Sequence, residues 1–167
     1  MQGLRSGGKW SKVGHRGRST TAERMFYGTH EHTIDEKHRL TLPAKFREQL
    51  GGEVVLLRGI EHTVDVYPRD TWEASLERIT DLDPLTREGR DMRRFVYSGV
   101  AVAEVDKQGR VLVPPDLAKH GGLEKDVAVV GVLDHIEIWD RPQWAAHLSA
   151  IEGSVGDVAE RAADRRG

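Results

Sequence analysis

The sequence predicts a β-rich α+β fold built from two tandem copies of one small module, and three observations carry that expectation. Residues 34–50, IDEKHRLTLPAKFREQL, recur as VDKQGRVLVPPDLAKHG at 105–121, a shift of 71 that sets Asp35, Arg39 and Pro43 on Asp106, Arg110 and Pro114. The likeness resumes at a shift of 72: VDVY at 64–67 meets IEIW at 136–139, and Val55, Gly59, Arg69 and Trp72 meet Val127, Gly131, Arg141 and Trp144. Within each copy, short runs of alternating apolar residues are cut by proline and glycine, the punctuation of strands and tight turns.

Each copy is expected to begin with an alternating strand ending at Asp35 or Asp106, followed by a tight polar turn. RLTLP or RVLVP then starts a strand that proline stops, because proline has no N–H to give a ladder. A short helical turn carries Phe46 and Leu50, or Leu117, and closes on Gly51-Gly52 or Gly121-Gly122, glycine being the residue that adopts a left-handed cap at least cost. Strands follow at 54–58 with 63–67, and at 126–130 with 135–139, and a helix starts near Asp70 or Pro142. In the first of these helices Trp72, Leu76 and Ile79 stand at i, i+4, i+7, one apolar face. Asp81 to Pro84 is a break, and residues 85–98 form a further helix with Leu85, Met92 and Val96 on one side and Arg87, Arg90, Arg93 and Arg94 largely elsewhere.

The expected division is a basic, disordered extension at 1–24, a first repeat with its helix at 25–80, a connecting helix at 81–98, a second repeat at 99–148 and a mobile tail at 149–167. A unit of about 45 residues buries too little surface to offset chain entropy alone. The copies must therefore support each other. A shared barrel to which each copy donates strands, with short flanking helices and a pseudo-twofold axis, would also hide strand edges.

Composition narrows the function classes. The chain has 167 residues, no cysteine and a formal charge of −2, so disulfides, zinc–cysteine sites and thiol catalysis are excluded. No run approaches the ~20 apolar residues that cross a bilayer. Residues 1–24 carry six basic side chains (Arg5, Lys9, Lys12, Arg16, Arg18, Arg24) and one acidic (Glu23), a contribution of +5 that leaves −7 for the rest. With a pI near 6.4, any affinity for nucleic acid must come from a local cationic patch and not from the overall field.

The blocks MFYGTHEHTIDEKHRLTLPAKFRE, YPRDTWE, DKQGRVLVPP and IEIWD occur in the order found in the MraZ family, and residues 25–148 resemble that family, itself part of the SpoVT/AbrB superfamily of swapped-hairpin, double-psi type β-barrels. The resemblance implies a transcriptional regulator that is cytoplasmic and nucleoid-associated, uses a D-x-x-x-R motif in each repeat, and binds short promoter direct repeats in double-stranded DNA as a ring-shaped homo-oligomer. It implies no enzyme activity, cofactor, small-molecule substrate or membrane partner. Carried over by position, the motif is Asp35 to Arg39 and Asp106 to Arg110. Where the family has glycine before the motif arginine the second copy keeps Gly109, but the first has His38. If positive φ is needed there, histidine costs on the order of 1 kcal/mol.

Arg39 and Arg110 follow tight turns, from which a planar cation can reach phosphates or a guanine edge. Lys37, Lys45 and Arg47 in the first copy, and Lys107 and Lys119 in the second, could extend that patch, or could be solvated charges paired with Glu36, Glu48 or Asp116. Asp35 and Asp106 would repel phosphate and are assigned, with His38 and Gly109, to shaping the turns. His30 and His32, two apart on a strand with His38 nearby, invite a metal reading, but the second copy has no matching cluster, so no metal is expected. The G-x-S-x-G and G-x-x-x-x-G-K-S/T motifs are absent, and no catalytic residue is expected. Tyr67 and Trp139 end strands ahead of helices, where packing is a better account than base stacking, and the same holds for Trp72 and Trp144. The favoured function is a sequence-specific DNA-binding regulator. The alternatives are a ring-forming scaffold or protein-interaction module and, remotely, a metal-dependent enzyme using the histidines.

Overall fold

The computed structural model describes residues 24–167, with Ile79 described by its backbone alone. The elements are β1 (Phe26–Thr33), β2 (Arg39–Thr41), α1 (Ala44–Leu50), β3 (Glu53–Arg58), β4 (Val64–Pro68), α2 (Trp72–Thr80), α3 (Arg87–Tyr97), β5 (Ala101–Glu104), β6 (Arg110–Leu112), α4 (Pro115–His120), β7 (Asp126–Leu133), β8 (Ile136–Asp140) and α5 (Arg141–Asp164). This is a β-rich α+β fold. No helix among the described residues is long and apolar enough to cross a membrane. The expectation for residues 1–24 falls outside the described residues except at Arg24, whose guanidinium pairs with Asp70.

Six strands form one antiparallel sheet in the order β1-β7-β8-β4-β3-β5, and β2 pairs with β6 in a separate ribbon. The order is the same from either end once the copies are exchanged. The first strand of each copy pairs with the third strand of the other, β1 with β7 and β5 with β3, and the copies meet directly at β4–β8 and β2–β6. Among the described residues the ladder does not close into the expected barrel: β1 and β5 each pair on one side only. The cause is local. Pro43 and Pro114 stop β2 and β6 after three residues each, and these short strands pair with each other instead of extending the ladder.

The pairing also revises the alignment of the repeat. Val54 lies opposite Pro68 as Val127 lies opposite Asp140, and Glu53 opposite Glu104 as Asp126 lies opposite Thr33. Both place Val54 on Val127, a shift of 73, so the equivalent of Gly131 is Arg58 and not Gly59. The β3–β4 turn is correspondingly longer than the β7–β8 turn.

Alternation along the strands divides the core in two. On one face Val54, Leu56, Val64, Val66, Val127, Val129, Ile136 and Ile138 pack beneath Leu40 and Val111 of the ribbon and Phe46 and Leu117 of α1 and α4. On the other, Val55, Leu57 and Tyr67 pack against Leu76 of α2 and Val96 of α3, while Ala128, Val130 and Trp139 pack against Trp144 of α5. Tyr67 and Trp139 are buried, in keeping with packing and not with an exposed stacking platform.

Three helix expectations change. Leu85 precedes α3 and is exposed, so Met92 and Val96 supply the face that packs inward. The left-handed cap glycines are Gly51 and Gly122, one from each expected pair. The chain does not lose regular structure after 149: α5 runs on to Asp164. Asp140 caps it by accepting from the Gln143 amide at 3.2 Å, and beyond the first two turns it leaves the body. Leu148, Ile151, Val155 and Val158 stay exposed along it.

Candidate nucleic-acid interface

The two motif turns are built alike. Asp35 Oδ1 accepts from the amides of Lys37 and Arg39, both at 2.9 Å, and its Oδ2 accepts from Arg39 Nε at 2.9 Å. In the second copy Asp106 Oδ1 accepts from Gln108 N at 2.9 Å and Arg110 N at 2.8 Å, and its Oδ2 from Arg110 Nε at 2.9 Å. Backbone bonds Asp35 N to Arg39 O and Asp106 N to Arg110 O, each 2.9 Å, close the hairpins. Each aspartate thus fixes its turn and orients its arginine. The amide donation from Arg39 and Arg110, followed by their side-chain bonds, holds the Asp35 and Asp106 carboxyls below the ordinary aspartate range.

The residue before each arginine takes the left-handed conformation, φ 59° at His38 and 76° at Gly109. That conformation has a use. It turns the carbonyl toward the other copy: His38 O accepts from Val113 N at 2.8 Å and Gly109 O from Leu42 N at 2.9 Å. Histidine therefore occupies the glycine position without reshaping the turn. The neighbourhoods differ instead, because a Cβ at Gly109 would run into the Arg47 side chain, whereas the residue equivalent to Arg47 in the second copy is Ala118.

In the ribbon, Leu40 opposes Val111 and both point into the core, fully buried. Arg39, Thr41, Arg110 and Leu112 must then share the outer face, with Arg39 opposite Leu112 and Arg110 opposite Thr41. The two guanidinium groups stand at opposite ends of one exposed surface. With Nε engaged by aspartate, the terminal nitrogens of each are the donors left for another partner. Lys37 and Lys107 lie exposed on the flanking turns. Lys45 and Lys119 are exposed on α1 and α4; the Lys45 Nζ sits 3.3 Å from the centre of the exposed Tyr27 ring. Arg47 is half-buried across Gly109 and belongs to the packing between copies as much as to the surface.

Motif reading overlooked Thr41 and Leu112, which the same alternation puts beside the arginines; Leu112 is 53% exposed. His30 packs edge-on against Phe46 with ring centres 5.0 Å apart, and burial lowers the pKa of His32. A second cluster, Asp65, His135 and Glu137, lies on the far face of the sheet, and no spacing in the sequence suggested it.

A family model described as MraZ protein, antitoxin-like, matches residues 25–95 and again 97–166. The chain is 40% identical over 139 residues to a protein of Thermomicrobium roseum, covering 83% of this chain and 98% of the relative. It is 41% identical over 135 residues to one of Limosilactobacillus fermentum, covering 81% and 94%. It is 42% identical over 141 residues to one of Heliobacterium modesticaldum, covering 84% and 98%. All three relatives bear the name transcriptional regulator MraZ.

Proposed function

The chain belongs to the MraZ family, and on that premise we propose that it is a transcriptional regulator, not an enzyme, that binds promoter DNA through the outer face of the β2–β6 ribbon. The observation that carries this reading is the pair Arg39 and Arg110, held by identical aspartate clamps at the two ends of an exposed antiparallel ribbon. A two-stranded ribbon fits the major groove, where arginine recognises guanine O6 and N7. Because Nε is committed to Asp35 or Asp106, recognition is end-on, through the two terminal nitrogens. Lys37 and Lys107 contact phosphates beside the groove, Lys45 and Lys119 lie further out, and Arg47 acts mainly by supporting the turn at Gly109.

A body this acidic gains DNA affinity by linking several weak sites, so we take the active form to be a homo-oligomer, a ring on promoter direct repeats, at work on the nucleoid in the cytoplasm. Linked sites raise avidity by ~10²-fold or more without a new contact. The exposed stripe Leu148, Ile151, Val155 and Val158, spaced three, four and three residues apart along α5, favours self-association. That stripe alone would serve equally well in a scaffold without specific DNA binding. Gel shift on the gene's own upstream region at two salt concentrations decides: specific, salt-sensitive retardation supports the regulator, and binding no tighter than to unrelated DNA refutes it. Light scattering at micromolar concentration tests the oligomer, which a mass of 18.7 kDa would refute.

A further inference from the structure

On the sheet face opposite the ribbon, the seam between the copies brings two carboxylates into direct opposition: Asp65 of β4 pairs with Glu137 of β8. Like charges facing each other across a ladder destabilise it. Asp65 is also buried, at 9% exposure. His135, on the turn before β8, stacks on Tyr67 with ring centres 4.3 Å apart. One ligand-type atom from each of Asp65, His135 and Glu137 lies within 4.8 Å of the other two.

Each member is tied back by a neighbour through one atom. Thr63 donates to Asp65 Oδ1 at 2.7 Å, Trp139 Nε1 donates to Glu137 Oε1 at 3.2 Å, and His135 Nδ1 bonds Asp134 Oδ1 at 2.7 Å. The last contact decides the chemistry. With Nδ1 engaged by Asp134, Nε2 is the ring nitrogen left to face the two carboxylates. It stands 3.7 Å from Asp65 Oδ2, too far for a hydrogen bond and a separation that one ion held by both atoms would span. Two donors each ~2.0–2.1 Å from one zinc ion would sit that far apart at an angle somewhat wider than tetrahedral.

The other charged side chains around the cavity are engaged elsewhere. Arg58 lines the adjoining cavity, but its Nη1 is spent on Phe95 O at 2.9 Å and Ser98 Oγ at 2.8 Å. Glu61 turns to His147 at 3.2 Å. The cavity, about 270 Å³ and walled by Leu57, Leu76 and Val96, gives room for a further ligand.

We propose that Asp65, His135 and Glu137 form a divalent-metal site of zinc class, joining the two copies across the β4–β8 seam and leaving a coordination position open to the cavity. Asp134 is a positioning residue that holds the imidazole by Nδ1. One nitrogen and two oxygen donors suit zinc better than the all-oxygen cages of magnesium or calcium.

The test is calorimetric titration of the full-length, chelator-stripped protein with zinc chloride, alongside Asp65→Asn, His135→Gln, Glu137→Gln and Asp134→Ala variants checked for folding by circular dichroism. Expected are one equivalent bound by the parent, its loss in the three ligand variants, ~10–100-fold weaker binding in Asp134→Ala, and no comparable uptake of magnesium. Absence of zinc uptake by the parent, or uptake unchanged in all three ligand variants, overturns the proposal. Should a variant fail to fold, imidazole ¹⁵N resonances of the parent decide: zinc must shift His135 Nε2, and a shift confined to other histidines overturns the site.

Discussion

Gly109 offers a quantitative test of how the two copies are locked together beneath the β2–β6 ribbon. Its φ is 76°, and a Cβ there would lie 2.6 Å from Arg47 Cδ and against the guanidinium. Gly109→Ala therefore has two separable costs: roughly 1 kcal/mol for a left-handed non-glycine residue, and roughly 0.5–1.5 kcal/mol for pushing the flexible end of the half-buried Arg47 side chain off its rotamer. Reduced unfolded-state freedom returns about 0.4–1 kcal/mol. In an Arg47→Ala background the crowding vanishes while the backbone cost stays, so the same substitution should cost no more than about 1 kcal/mol. The expected coupling is then about 0.5–1.5 kcal/mol, read by urea unfolding of the four proteins at one fixed concentration. Gly109→Ala alone should also weaken operator binding, because its carbonyl anchors Leu42 N of the other copy at 2.9 Å. His38, whose counterpart to Arg47 is Ala118, already shows that a side chain is tolerated where that neighbour is small. Strictly additive effects of Gly109→Ala and Arg47→Ala would refute the packing argument.

The remaining predictions concern the proposed DNA-binding face, the turns and α5. Arg39→Ala and Arg110→Ala should each lose ~1–3 kcal/mol of operator binding and relax discrimination at one base, with the melting temperature nearly unchanged, whereas Lys37→Ala and Lys107→Ala should lower the salt slope by about one; operator affinity unchanged in both arginine variants would remove the ribbon from the interface. Asp35→Ala and Asp106→Ala should weaken binding by loosening the turns. Because both carboxyls titrate below the ordinary range when folded, their stabilisation is complete above the usual aspartate pKa and fades as pH falls through the depressed folded values; amide resonances of Lys37, Arg39, Gln108 and Arg110 should therefore show the turns opening only in strong acid. Deleting 150–167, every side chain of which is exposed, should leave the melting temperature within a few degrees while lowering the mass in light scattering; an unchanged mass would dissociate α5 from assembly.

The sequence by itself determined the repeat, the turn architecture and the principal candidate residues, since all are local. Asp35 reaches only as far as Arg39, an aspartate opening a turn states its hydrogen bonds in its position, and alternation in RLT and RVL fixes which side chains face out. Tertiary structure decided what depends on contacts between distant segments. Whether β1 pairs within its own copy or with β7 of the other turns on which edge the folded sheet presents, and so does the alignment of β3 with β7, where apolar runs such as EVVLLR and DVAVVGVL match at several offsets. The 24-residue length of α5 was hidden by Gly153 and Gly156, which break the apparent pattern although an exposed helix tolerates each for about 1 kcal/mol. Asp65, His135 and Glu137 carry no spacing signature across their roughly 70-residue separation, because what unites them is the β4–β8 pairing, a register set by the core on the opposite face of the sheet.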